Sequence, residues 1–220
     1  MQAVTSRATN LGELLKQLGG IPLERVRMRP PPGTATERDV LEVDAHENRF
    51  CELVDGVLVE KGMGYWESVV AYAIGRILSE FVDAHDLGVV SGEGGMLKLA
   101  PGLVRIPDVG FVSTDRISEI SQKVSIPPVA PDLAVEVLSE TNTKKEMARK
   151  RREYFEAGTQ LVWEVDLNSR TISVYTDVDE VEVLREGQKL TGADVLPGFS
   201  MPVAAAFSKL DTLRKSKKRK

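Results

Sequence analysis

From Arg49 onward, short apolar runs alternate with turn residues, and the period of each run predicts its element. Phe50-Cys-Glu-Leu-Val-Asp-Gly-Val-Leu-Val59 holds two apolar strands around Asp55-Gly56, a pair that closes a tight antiparallel hairpin. Tyr65 to His85 spaces Ala71, Ile74, Leu78 and Phe81 three and four residues apart, which predicts one amphipathic helix ending before Gly88. Met96 to Leu99 and Val104 to Val112 flank Pro101-Gly102 and predict a second antiparallel pair, with Asp108 on its second strand. Ser113 to Ala130 reads as a linking loop with room for a short helical piece. The apolar run Leu133 to Leu138 predicts a strand, followed by a helix capped at Asn142 or Thr143 that runs to Ala157 and stops at Gly158. Leu161 to Val165 and Thr171 to Tyr175 continue the sheet, and Val181 to Leu184 adds an edge strand. Leu196-Pro-Gly-Phe199 reads as a loop and Val203 to Leu213 as a final helix.

Before the hairpin, helical spacing over Leu11 to Leu18 stops at Gly19-Gly20, and Arg29-Pro-Pro-Pro-Gly33 must be extended. Thr36 with Asp39 three residues on is a capping signal for a short helix to about His46. The chain thus divides into a helical and loop extension over 1–48, one α/β (α+β) domain over 49–207, and a basic tail over 208–220. The domain is expected to hold a mixed central sheet flanked by helices, opened by the hairpin and completed by C-terminal strands. The tail's like charges are too dense to pack, so it is expected to be disordered on its own.

With 220 residues and 42% hydrophobic content, the chain can bury one full core. The lone Cys51 excludes an internal disulfide framework, and no apolar run approaches the length of a membrane span, so a soluble, cytoplasmic protein is expected. A net charge of -4 argues against indiscriminate coating of nucleic acid. Local charge differs from the total: cations cluster at Lys144 to Arg152 and at Arg214 to Lys220, where DNA would be met. Gly92 to Gly95 lacks P-loop spacing and its Lys-Ser/Thr, and no aromatic-lined base-reading motif stands out.

The chemistry lies between Pro107 and Lys150. Asp108 and Glu136 each interrupt an apolar run, and an unpaired carboxylate in such surroundings costs several kcal/mol by order of magnitude. A single example fits a core Glu that is protonated or paired with a cation. Two on neighbouring strands also fit hard oxygen ligands for Mg2+ or Mn2+, which keeps most of its waters. On the following helix Lys150 falls among Met147, Tyr154 and Ala157, the inward stripe, whereas Lys145, Arg149 and Arg152 fall outward. Arg151 flanks the same stripe and competes for the role; a Lys that merely covers apolar surface is the bland alternative. Glu67 leads the Ala71, Ile74, Leu78 stripe, where it could ligate metal or accept a proton, or simply answer the helix dipole.

Several blocks in order resemble the Uma-type restriction endonuclease family: Cys51-Glu-Leu-Val-Asp-Gly, Ile106-Pro-Asp-Val, Pro131-Asp-Leu-Ala-Val-Glu-Val-Leu-Ser139, Lys150 with Tyr154-Phe-Glu-Ala-Gly158, Val162-Trp-Glu-Val-Asp166 and Leu196-Pro-Gly-Phe199. The resemblance covers roughly Arg49 to Phe207 and implies the PD-(D/E)XK, restriction-endonuclease-like fold. It implies that Asp108 and Glu136 bind the divalent metal. Leu138 stands where that superfamily carries its lysine, and the resemblance implies that Lys150 has taken the place. Glu67 sits where an acidic or polar helix residue often completes such sites. The expected reaction is metal-dependent hydrolysis of DNA, with a homodimer left open. The rivals are a binding module of the same fold without turnover, and a hydrolase of another phosphate ester. An amine of Lys150 close to both carboxylates would favour the enzyme.

Overall fold

The computed structural model describes residues 8–62 and 64–217, with side chains described as far as residue 212. The extension holds α1 (Leu11–Gln17), one 3-10 turn and α2 (Glu37–Glu47). The hairpin is β1 (Cys51–Val54) and β2 (Val57–Glu60). Asp55 and Gly56 between them take φ of 51° and 73°, as a two-residue turn matching the strand twist requires. A Cβ on Gly56 would also lie 2.7 Å from the Gly33 backbone, which runs across the turn. Then come α3 (Tyr65–Ala84), β3 (Gly88–Ser91), β4 (Leu97–Ala100), β5 (Leu103–Arg105), β6 (Val109–Ser113) and α4 (Thr114–Ile117). They are followed by β7 (Leu133–Leu138), α5 (Lys144–Glu156), β8 (Leu161–Asp166), β9 (Thr171–Tyr175), β10 (Val181–Arg185), β11 (Lys189–Gly192), β12 (Leu196–Pro202) and α6 (Val203–Lys217).

Six strands form the central sheet in the order β10-β9-β8-β7-β6-β3, with β7 and β8 parallel and the other pairs antiparallel. The parallel pair brackets α5, because a strand returning beside its predecessor in the same direction needs a crossover. Leu133, Val135 and Val137 point to one face with Leu161, Trp163 and Val165, and there α3 and α6 cover them with the main core. Phe199 on β12 stacks at 6.0 Å on Trp163 and meets Phe81 of α3 edge-on at 5.3 Å. The opposite face of β7 and β8 lies under α5, where only Ala134, Tyr154 and Val162 make the fully buried apolar cluster. So small an apolar seat leaves α5 to be fixed by polar contacts.

A second sheet, β2-β1-β5-β4, is antiparallel throughout and carries its own core with α2. The expected strand over Val104 to Val112 is therefore two strands in two sheets. The break falls at Ile106-Pro107-Asp108, where proline cannot donate to a ladder, so Asp108 sits in the crossing between sheets and not on a strand. Residues 88–91 add an edge strand that the pattern did not predict, and Leu196-Pro-Gly-Phe199 opens β12 instead of forming a loop. The final helix continues to Lys217, through the residues set apart as a basic tail from 208; residues 218–220 lie outside the described ones.

The extension is packed onto the domain. Val26 bridges Val59 of β2, and Leu18, Ile21 and Val26 bury against the hairpin. Gly19 lies so close to α5 that a Cβ there would stand 2.7 Å from the Glu146 backbone nitrogen. Arg25, itself buried, forks onto both oxygens of Glu146 at 2.8 and 3.0 Å. Among the described residues no helix is long and apolar enough to cross a membrane.

Candidate active site

β7 supplies Glu136 from its α5-facing side. The expected helix cap is present at Thr143, whose side chain accepts from Glu146 N–H while Glu146 reaches back to the cap, so α5 starts in fixed phase. That phase turns Met147, Lys150 and Tyr154 inward. The Lys150 amine lies 3.1 and 3.0 Å from the two oxygens of Glu136, and the Tyr154 hydroxyl donates to Glu136 Oε1 at 2.7 Å. Arg151, the competing cation, turns elsewhere: it donates to Glu164 at 2.6 Å and lies 3.9 Å over the Tyr175 ring. Arg149, expected to face outward, is held between Asp55 and Glu153, whereas Lys144, Lys145 and Arg152 do face solvent.

Val109 opposes Val135 across the β6–β7 pair, so one step back Asp108 stands beside Glu136. The main chain locks it there. Asp108 N–H donates to Val135 O at 2.9 Å, and Val137 N–H donates to Asp108 Oδ2 at 2.6 Å. Asp108 Oδ1 lies 2.7 Å from the Lys61 amine without a well-aligned hydrogen bond. Lys150 meets Glu136 and Glu52 at ion-pair distance, whereas the ion-pair partner of Asp108 is Lys61. Ion pairing of the two carboxylates is thus divided between two lysines.

Glu52 on β1 is fully buried. It takes the Lys150 amine at 3.0 Å on Oε1 and the Arg105 guanidinium at 2.6 Å on Oε2, and Arg105 continues to Glu153 of α5. The cluster therefore joins both sheets to α5 through charge. Burial opposes the charged form of Glu52, but Lys150 and Arg105 outweigh it and bring its pKa down to about 2. Burial, reinforced by the Asp108 and Glu52 carboxylates, pushes Glu136 up to about 7 against the pull of Lys150. Burial pulls Lys150 down, yet the two glutamates prevail and raise it. Burial and the neighbouring Glu136 carboxylate keep Tyr154 protonated, hence a donor.

Two clefts reach this centre. One of about 780 Å³ runs between α3, β3 and α6, with Asp108, Ser91, Tyr72 and Lys209 in its walls. Another of about 360 Å³ is lined by Lys61, Tyr65 and Arg49, and both include Ser68 and Glu93. Glu67 lies half-buried on the first turn of α3, its carboxylate folded over Gly64. Among the described residues no three Asp, Glu, His or Cys side chains gather as a metal-holding group, so Glu67 is not brought to Asp108 and Glu136 as a third ligand.

Three members of the cluster escape the strand-and-helix pattern. Glu52 carried the same signal as Glu136, a carboxylate inside an apolar strand, but one shorter and cut by a turn. Arg105 ends β5 and Lys61 follows β2, with nothing local to show that they turn inward.

The comparisons with known proteins bear on the family and the fold. A family model described as "Uma2: Putative restriction endonuclease" matches residues 37–204. The chain belongs to the Uma2 family. Its match begins at α2 and ends in α6, so it takes in all twelve strands and every residue of the charged cluster while leaving out α1 and Arg25. Among solved structures, one similar chain is titled a "putative nuclease belonging to DUF820" from Anabaena variabilis. It shares 19% identity with a TM-score of 0.67, over 74% of this chain and 92% of that one, which shows a common fold. No curated protein matches the chain. The mixed central sheet flanked by helices is thus the nuclease fold that the sequence led us to expect, and the Uma2 chain carries the Glu136–Lys150 pair across its parallel crossover.

Proposed function

We propose that this Uma2 chain is a metal-dependent endonuclease that hydrolyses DNA phosphodiester bonds at Asp108, Glu136 and Lys150. The observation that carries the reading is the placement of Asp108 beside Glu136 with the Lys150 amine on the latter. Mg2+ and Mn2+ need only one or two carboxylates and keep several waters, so this donor set fits such an ion. Asp108 Oδ1, buried and without a well-aligned hydrogen bond, is the oxygen most ready to accept one. Asp108 and Glu136 would hold the ion, which supplies an activated water and charge neutralisation at the phosphate.

The side chains do the positioning. Val137 N–H and Val135 O fix Asp108, while Lys150 and Tyr154 fix Glu136. Lys150 offsets the charge that develops on the phosphate, an effect that depends on a preorganised, water-poor setting. Lys61 holds Asp108 in the free protein and lies in the cleft wall, where it can pass from carboxylate to phosphate. Glu67 is left the role of proton acceptor through solvent.

A binding module without turnover is the second reading. It is favoured by one observation: Lys150, 3% exposed, shares its amine with Glu52, whereas the ion-pair partner of Asp108 is Lys61. Incubation of purified protein with plasmid and oligonucleotide DNA separates the two. Cleavage with Mg2+ or Mn2+ that stops in EDTA supports the enzyme, and binding without cleavage under both metals supports the module.

A further inference from the structure

Of the Phe, Tyr and Trp side chains, the described residues expose three, and all lie on the first half of α3: Tyr65 at 73%, Trp66 at 48% and Tyr72 at 75%. Exposing three aromatic rings to water on one short stretch is unfavourable unless something covers them. Tyr65 and Tyr72 are seven residues apart, hence on one face of the helix and about 10 Å along its axis. Two of the rings mark the route to the charged centre, since Tyr72 lines the cleft that contains Asp108 and Tyr65 lines the one that contains Lys61. Trp66 sits edge-on to Tyr65 at 5.0 Å and extends the same surface.

The cations point the same way. A duplex is held chiefly by phosphate contacts, which need a row of free Lys and Arg. On α5, the richest basic helix, Arg149, Lys150 and Arg151 are taken up by carboxylates of the chain, and the cations that face solvent, Lys144, Lys145 and Arg152, line neither cleft. Along the cleft Arg76 is paired with Glu80, while Lys209 faces solvent. A strand with unpaired bases adds to its phosphate contacts the stacking of each base on a ring, which a closed duplex cannot offer.

We propose that Tyr65, Trp66 and Tyr72 form a stacking platform for unpaired bases, so that the DNA entering the Asp108 cleft is single-stranded. This rests on the nuclease reading and narrows its substrate. The backbone would follow the cleft past Ser68 and Arg76 toward Asp108, with the bases turned onto α3.

Tryptophan fluorescence tests this directly, because Trp163 is fully buried and bases can quench only Trp66. The protein is titrated in EDTA with oligothymidylate and, separately, with a duplex of equal length. The expected result is saturable quenching with tighter binding of the single strand. Tyr72→Ala and Tyr65→Ala should each weaken it at least about fivefold, and Tyr72→Phe should restore what Tyr72→Ala loses. Sedimentation and melting curves of the variants accompany the titration. Equal affinity for the duplex with no effect of the ring deletions overturns the platform and leaves the nuclease reading intact. A parental dimer that the Tyr72→Ala change dissociates also overturns it, since the rings would then cover a second copy. Failure to bind or cut either form of DNA overturns both.

Discussion

Replacing Lys150 with Met keeps much of the side chain's volume and removes the cation shared by Glu136 and Glu52. Both glutamates are buried, and the amine stands 3.0 Å from each. Removing one partner of such a pair costs about 3–5 kcal/mol, because the desolvated charge left behind has no compensation. At about 2–4 °C per kcal/mol for a chain of this size, the melting temperature should fall by about 10 °C near neutral pH. The loss must also depend on pH, with a definite sign. Glu136 already titrates at about 7 in the folded protein against an ordinary 4.5, so the folded state holds a proton that the unfolded chain gives up between those values. Deleting Lys150 removes the main pull toward the charged form and raises that value further. The variant is therefore most stable at low pH and loses ground as pH rises through the raised value. Urea unfolding of parent and variant at about pH 5 and about pH 8 should show a clearly larger deficit at the higher pH. An equal deficit at both would mean that the lysine acts by filling space and would refute the electrostatic account of the cluster.

Other outcomes follow from the same geometry. Mg2+ or Mn2+ should raise the melting temperature by mass action, by about 2.7 kcal/mol of stability at a hundredfold excess over Kd. An Asp108→Asn/Glu136→Gln double variant should lose stability without metal, because it takes the carboxylate from the buried Lys61 amine and one of two from Lys150, and should give no such rise; a full rise would place the ion elsewhere. Arg25→Ala should cost about 3 kcal/mol in urea unfolding because it strands the buried Glu146, whereas a loss under 1 kcal/mol would make the extension's seat on α5 dispensable. Truncation after Leu213 removes Arg214, Lys215, Lys217, Lys218, Arg219 and Lys220, so DNA affinity should drop and its salt dependence flatten while the fold melts as before. An unchanged salt slope would reduce that segment to a solubilising end.

What the pattern of residues could reveal depended on whether the signal was local. β7, its two faces and the cap of α5 are written within Leu133 to Glu156, and helical phase alone turns Lys150 toward the sheet. The hairpin needed only Asp55-Gly56. Where two sheets share one apolar run the signal fails, since nothing in Val104 to Val112 except Pro107 marks the crossing that takes Asp108 off the strand. β12 was hidden because Pro197 and Gly198 suit a turn equally well, and its pairing with β11 is a tertiary fact. Glu52, Arg105 and Lys61 enter the cluster from strands far away in sequence, so their convergence could not be read from spacing. The three exposed rings of α3 fall outside the apolar stripe, and only the clefts beside them give the position a meaning.

The central claim is that the Lys150 amine, carried over from α5, serves the chemistry at Asp108 and Glu136. It is tested by single-turnover cleavage of DNA with Mn2+ by the parent, Lys150→Ala and Arg151→Ala, at a temperature where all three are folded. Loss of one preorganised electrostatic contact of about 3 kcal/mol predicts at least a hundredfold slower cleavage by Lys150→Ala. Arg151→Ala, which releases Glu164 and the Tyr175 ring, should lose stability but stay within a few-fold of the parental rate. Parental cleavage by Lys150→Ala together with its loss in Arg151→Ala would contradict the assignment and give the role to the guanidinium.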